Sequence, residues 1–116
     1  MRHRKKTVIL DRRSGPRKQL LRGLAVNVIL RERVETTAAK ARAVKPIIER
    51  CVTRGKTATI VSRRKLTAIL NDRRAVAKII EVLGPRYRER AGGYLRILRL
   101  RQRAGDGAAM VMIAFV

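Results

Sequence analysis

The stretch GGYLRILRLRQRAGDGAAMVMIAFV, residues 92–116, decides the fold class, because here the apolar period changes from helical to extended. Tyr94 to Arg101 and Ala109 to Val116 read as two strands. They are joined through Arg103, Ala104, Gly105, Asp106 and Gly107, whose Asp and Gly residues suit a hairpin turn. Upstream the pattern is helical apart from RVETT, residues 33–37, a short β-branched segment between two helical patterns that reads as a strand. The expected fold is therefore α+β: helix, strand, three helices and a C-terminal two-strand hairpin, in a two-layer single domain with a basic N-terminal arm.

Working back from the hairpin, RYRERAGG (residues 86–93) is a basic loop closing on two glycines. Before it, Asp72 caps a helix whose Val76, Ile79, Ile80 and Leu83 share one face. Gly84 fits a left-handed terminal position there, and Pro85 prevents continuation. Ala58 to Leu70 makes another helix, with a basic block at Arg63, Arg64 and Lys65. The helix before that is capped by Thr36 or Thr37, buries Val44, Ile47, Ile48, Cys51 and Val52, and stops at Gly55. Pro46 inside it should kink the axis, with a break near Lys45. The first helix runs from an N-cap at Ser14 to about Arg31, with Leu20, Leu21, Leu24 and Val28 on one face. Residues 1–13 have no helical period and form the arm; residues 14–116 form the domain.

Composition narrows the function. The 116 residues carry 30 Lys and Arg against 8 Asp and Glu, a net charge of +22, so the natural partner is a polyanion. With 46% hydrophobic residues the chain folds and is not a disordered tail. Arginine, which grips phosphate through paired hydrogen bonds, dominates the basic residues. Only Tyr87, Tyr94 and Phe115 are aromatic, too few for a base-stacking platform, so recognition should work through backbone and shape. The longest apolar run is half the ~20 residues of a membrane-spanning helix, and no signal peptide is evident, so a cytoplasmic location and no membrane role are expected.

No motif in the chain supports catalysis. Gly55, Lys56 and Thr57 imitate the end of a phosphate-binding loop, but the required earlier glycine is Arg50, so a plain helix terminus is the better reading. Cys51 is core-facing and lacks a histidine partner. With one cysteine and one histidine, no disulfide or zinc site is expected, and neither is another cofactor or a small-molecule substrate. The carboxylates sit beside arginines and read as caps and local ion pairs.

The phosphate contacts should come from basic runs without nearby acids. In the arm these are Arg2, Arg4, Lys5, Lys6, Arg12 and Arg13; on the first helix, Arg17, Lys18 and Arg22. Further along, they are Arg63 and Arg64 in the basic block, then Arg86, Arg88, Arg90, Arg96 and Arg99. His3 in the arm suits RNA contact or simple solvation. Gly92 and Gly93 either start a strand or let the backbone approach a phosphate.

Four segments, MRHRK (1–5), ETTAAKARAVK (35–45), LGPRYRERAGGYLRIL (83–98) and RAGDGAAMVMI (103–113), resemble the bacterial large-subunit ribosomal protein seventeen family in order and spacing. The resemblance implies a non-catalytic protein that binds large-subunit rRNA, aids subunit assembly and lies near the peptide exit tunnel beside other ribosomal proteins. It implies RNA contact for Arg2, His3, Arg4 and Lys5. It implies the same for Thr36, Thr37, Lys40 and Arg42 in the TT-x-x-K-A segment, and for the loop from Arg86 to Tyr94. The sequence departs from the family in the apolar KTVIL run of the arm and at Pro46. A DNA-architectural protein is the competing reading, but it would need a β-ribbon arm or an apolar wedge for the minor groove, and neither is evident.

Overall fold

The structure, a computed structural model, describes residue 10 and residues 12–116. Helix α1 spans Ser14–Arg31. Its N-cap is Arg13, whose extended backbone (φ −68°, ψ 162°) turns into the helix, so Ser14 is the first helical residue and not the cap. Burial is concentrated at Ala25, Val28 and Ile29, and Leu21 and Leu24 pack only partly against the core. The helix ends at Glu32, a left-handed cap with φ 67°, which redirects the chain into strand β1 (Arg33–Thr37).

Thr37 then caps helix α2 (Ala38–Gly55) by accepting from the Lys40 N–H. This helix continues unbroken through Pro46, against the expected break near Lys45. Pro46 is exposed, so the helix side facing the core stays regular while the proline lies on the solvent side. Helix α3 (Ile60–Leu70) begins two residues later than expected because Thr59, not an earlier residue, supplies the cap. Asp72 caps α4 (Arg73–Lys78) through a 2.9 Å bond from the Ala75 N–H, as its sequence position implies.

The end of this fourth helix corrects the sequence reading. Gly84 is neither left-handed nor a stop: its φ and ψ are −55° and −56°. From α4 the chain widens into a π turn, Ile79–Leu83, and closes in a last helical turn, Gly84–Arg86. The Gly84 N–H reaches five residues back to the Ile79 carbonyl. Pro85 has no N–H to offer and its ring would crowd a regular helix, so the wider turn accommodates it. Both Gly55 and Gly84 are buried where these helices cross, and their glycine identity answers to close approach.

Strands β2 (Leu95–Gln102) and β3 (Ala109–Phe115) form the expected hairpin, with Asp106 accepting from Arg103 and from the Ala108 N–H in the turn. The sheet has a third member. β1 pairs antiparallel with β3, giving the order β1-β3-β2, with Val34 opposite Ile113 and Thr36 opposite Val111. A bulge between Arg99 and Arg101 shifts the β2 register. Helix α2 is the centre of the packing, touching α1, α3, the π turn and all three strands. Its Ala41, Val44, Ile48, Cys51 and Val52 meet Val28, Ile29, Leu66, Ile79, Leu83 and Ile113 in one core.

Candidate nucleic-acid interface

The loop at Arg86 to Tyr94 is held from beneath by the aromatic residues. Tyr87 and Tyr94 are buried, with ring centroids 5.2 Å apart, and Phe115 stacks at 6.1 Å from Tyr87. The Tyr87 hydroxyl donates to the Val116 carbonyl at 2.7 Å. The Thr53 hydroxyl bonds the Glu49 carbonyl and shares a 3.1 Å hydrogen bond with the Tyr94 hydroxyl. Lys56 lies over the Tyr94 ring, 4.9 Å from its centroid, and donates to the Arg90 carbonyl. Burial alone would raise the Tyr94 phenol, but Lys56 and Thr53 outweigh it and leave the phenol below its ordinary value. Tyr94, one of the contact residues the sequence suggests, is only 1% exposed and anchors the loop, with its edge lining the groove beside Gly92 and Gly93.

Between the anchored residues, Gly92 (φ 130°) and Gly93 (φ 63°) adopt backbone conformations that side chains resist. They face α2 across a groove of about 290 Å³ whose other wall carries Glu49, Arg50, Thr53 and Arg54. Arg50 and Arg54 lie outside the basic runs that the sequence singles out. Their spacing of four residues, off the apolar stripe of α2, was the available signal. The same two arginines also border a second groove with Lys18 and Arg22 of α1. α1, α2 and the glycine loop thus bring Lys18, Arg22, Gly92 and Gly93 to one region, with Arg50 and Arg54 between them.

A separate groove of about 500 Å³, between the start of α2 and the β2-β3 hairpin, brings Arg42 and Arg99 together. Of the TT-x-x-K-A segment, Thr36 sits in the sheet opposite Val111, Thr37 is occupied as the helix cap, and Lys40 is half-buried. Arg63 and Arg64 are exposed on α3, as are Arg88, Arg90 and Arg96 in and after the loop. Arg12 bonds the Leu10 carbonyl and Arg13 is the α1 cap. Arg17 is half-buried at the start of α1. Arg2, His3, Arg4, Lys5 and Lys6 lie outside the described residues.

Asp72 and Asp106 act locally, as a cap and a turn ion pair, whereas Glu32 and Glu35 pair with residues far along the chain. Glu32 holds Arg86 in a bidentate pair, at 2.5 and 3.2 Å, and Lys78 at 3.0 Å. The Arg86 bond, with Lys78 added, outweighs desolvation and lowers the Glu32 carboxyl to about 2. Arg86, one of the expected phosphate contacts, is thereby engaged across the fold. Glu35 pairs with Arg101 at 2.6 Å, and Asp106 with Arg103. Among the described residues no ion pair reaches Lys18, Arg22, Arg42, Arg50, Arg54, Arg63, Arg64, Arg88, Arg90, Arg96 or Arg99. Burial pushes the Cys51 thiol up to about 11, which suits a core residue. No group of metal-ligating side chains occurs among the described residues, and none of their helices is long and apolar enough to cross a membrane.

Fold and surface together define a small α+β scaffold that displays unpaired arginines, a surface suited to phosphate. The family comparison matches residues 20–116 to ribosomal protein L17. The full chain is 51% identical to the large ribosomal subunit protein bL17 of Thermomicrobium roseum, covering 99% of it. It is 45% identical to the protein of that name from Solibacter usitatus, covering 77%, and 41% identical to that from Fusobacterium nucleatum, covering 100%. The chain belongs to the ribosomal protein L17 family.

Proposed function

We propose that this protein is a structural, non-enzymatic constituent of the large ribosomal subunit in the bacterial cytoplasm. It binds large-subunit rRNA through Arg and Lys contacts to phosphate and aids subunit assembly. The observation that carries this reading is the full-length identity to proteins named as large-subunit components. The unpaired cations around Arg50, Arg54 and the glycine loop supply a mechanism: each phosphate neutralised releases counterions, while the rigid fold sets where RNA segments meet. Residues 1–13 serve as a basic arm on the same RNA. A position near the peptide exit tunnel, beside neighbouring ribosomal proteins, follows from the family resemblance.

The test is binding of the full chain to folded large-subunit rRNA and to duplex DNA at matched salt. Tighter binding to the rRNA, with log affinity falling linearly with log salt, is expected. Equal affinity for both would reject the reading. Crosslinking on assembled subunits checks the location, with adducts expected to rRNA and proteins that border the tunnel mouth.

A further inference from the structure

We propose that the groove between α1, α2 and α3 receives a single unstacked nucleotide of RNA, with its base on an apolar floor and its phosphates on a cationic rim. This rests on the rRNA-binding reading above and specifies a contact within it. Leu21, Ile47 and Ile69, each half-buried, form the floor. Lys18, Arg22, Arg50 and Arg54, all exposed and outside the ion pairs of the described residues, form the rim. The space is about 300 Å³, the lower end of the range for ligand clefts and sufficient for one base.

Two of the arginines touch backbone carbonyls at the groove. Arg22 donates through Nε to the Ile69 carbonyl at 3.2 Å, bridging α1 to α3 across the groove, and Arg50 donates through Nε to the Pro46 carbonyl at 3.4 Å. Each leaves its two outer nitrogens for phosphate. With Tyr87 and Tyr94 buried, guanidinium planes and aliphatic side chains are the surfaces on which a base can lie. A base in a duplex is stacked and offers no apolar face, whereas an unstacked nucleotide presents that face together with flanking phosphates. Arg50 and Arg54 also wall the glycine-loop groove, so the cations continue beyond the slot as a track. That continuity fits a polymer backbone better than a lone anion or an acidic peptide.

Ala68 is exposed on the α3 wall of the slot, so a longer side chain fills the space without disturbing the core. The experiment compares binding of a mixed-sequence single-stranded RNA with that of an abasic ribose-phosphate oligomer of equal length, at fixed salt. The wild-type chain should prefer the base-bearing RNA by about tenfold, the scale given by covering about 55 Å² of apolar floor. Ala68→Gln should bring that ratio close to one, with little change in affinity for the abasic oligomer. Ala68→Glu should weaken both. Unfolding midpoints of the variants, matched to wild type, separate this from loss of fold. Equal wild-type affinity for the two oligomers, or a ratio unchanged in Ala68→Gln, would overturn the proposal. So would an acidic peptide that binds in preference to the RNA and loses its affinity in Ala68→Gln. Failure of the wild-type chain to bind folded rRNA at low salt would instead overturn the broader reading.

Discussion

Gly84 lies so close to Gly55 that a side-chain carbon on Gly84 would sit 2.5 Å from the Gly55 carbonyl oxygen. The obstacle is backbone, which cannot rotate aside, so the helices would have to separate. Gly84→Ala is expected to cost about 2 kcal/mol, in the range of overpacked cores. In Gly55→Ala the new carbon would overlap Cγ2 of Ile79, a fully buried β-branched side chain with little freedom to move, so the expected cost is also about 2 kcal/mol. Urea unfolding measures both. A Gly84→Ala midpoint equal to wild type would contradict the close packing.

Glu32 ties the end of α1 to Lys78 and Arg86, and its carbonyl accepts the Phe115 N–H at 2.9 Å. Its folded-state carboxyl, at about 2, lies below the ordinary 4.5, so the ion pairs stabilise fully above 4.5 and are lost as pH falls toward 2. Over a third of the side chain is exposed, and solvent screening leaves about 1 kcal/mol. Glu32→Gln should lose that amount at neutral pH and flatten the acid limb of a stability profile. An acid limb as steep as wild type would assign the effect to another carboxylate.

Tyr94 separates anchoring from contact. Tyr94→Phe removes the hydrogen bond to Thr53 and should cost about 1 kcal/mol. Since only 1% of Tyr94 is exposed, rRNA affinity should stay within about twofold. Tyr94→Ala should cost about 3 to 5 kcal/mol. Thermal unfolding together with a binding isotherm distinguishes the two roles. A large affinity loss in Tyr94→Phe with stability intact would show that the hydroxyl meets RNA.

Arg50 and Arg54 are exposed and outside the ion pairs, so their replacement by Gln should leave the unfolding midpoint almost unchanged. Each should lower the slope of log affinity against log salt by about 0.7, the value for one phosphate contact on a single strand. A slope unchanged in the double variant would remove both arginines from the interface.

Pro46 withholds an N–H from α2 while the helix runs on through it. Pro46→Ala should restore that bond and raise stability by about 1 to 3 kcal/mol, following the helix-interior preference. A thermal midpoint lower than wild type would mean that the proline ring contributes to packing.

Much of the fold can be read locally. The Asp72 cap, the apolar stripe of α2, the RVETT strand and the Asp106 turn each depend on residues within a turn or two of one another, and the structure keeps them. Net charge and arginine content point to a polyanion for the same reason, since they need no knowledge of where the chain goes. Local signals failed where one residue type has two physical uses. Gly84 matched a left-handed helix end, but a glycine also permits backbone contact, and only the crossing with Gly55 distinguishes these.

The sequence alone settled that this is a cationic α+β chain of a ribosomal family, with its helices and hairpin in order. Tertiary structure decided that β1 joins β3, that Tyr94 turns inward, and that Arg86 serves Glu32, 54 positions away. It also placed Arg50 and Arg54 opposite Gly92 and Gly93. The division has a physical cause: periodicity and capping arise from neighbours along the chain, whereas contacts between distant residues depend on how whole elements pack. The net charge of +22 is a property of composition, but the fold determines which arginines are paired internally and which remain available to phosphate.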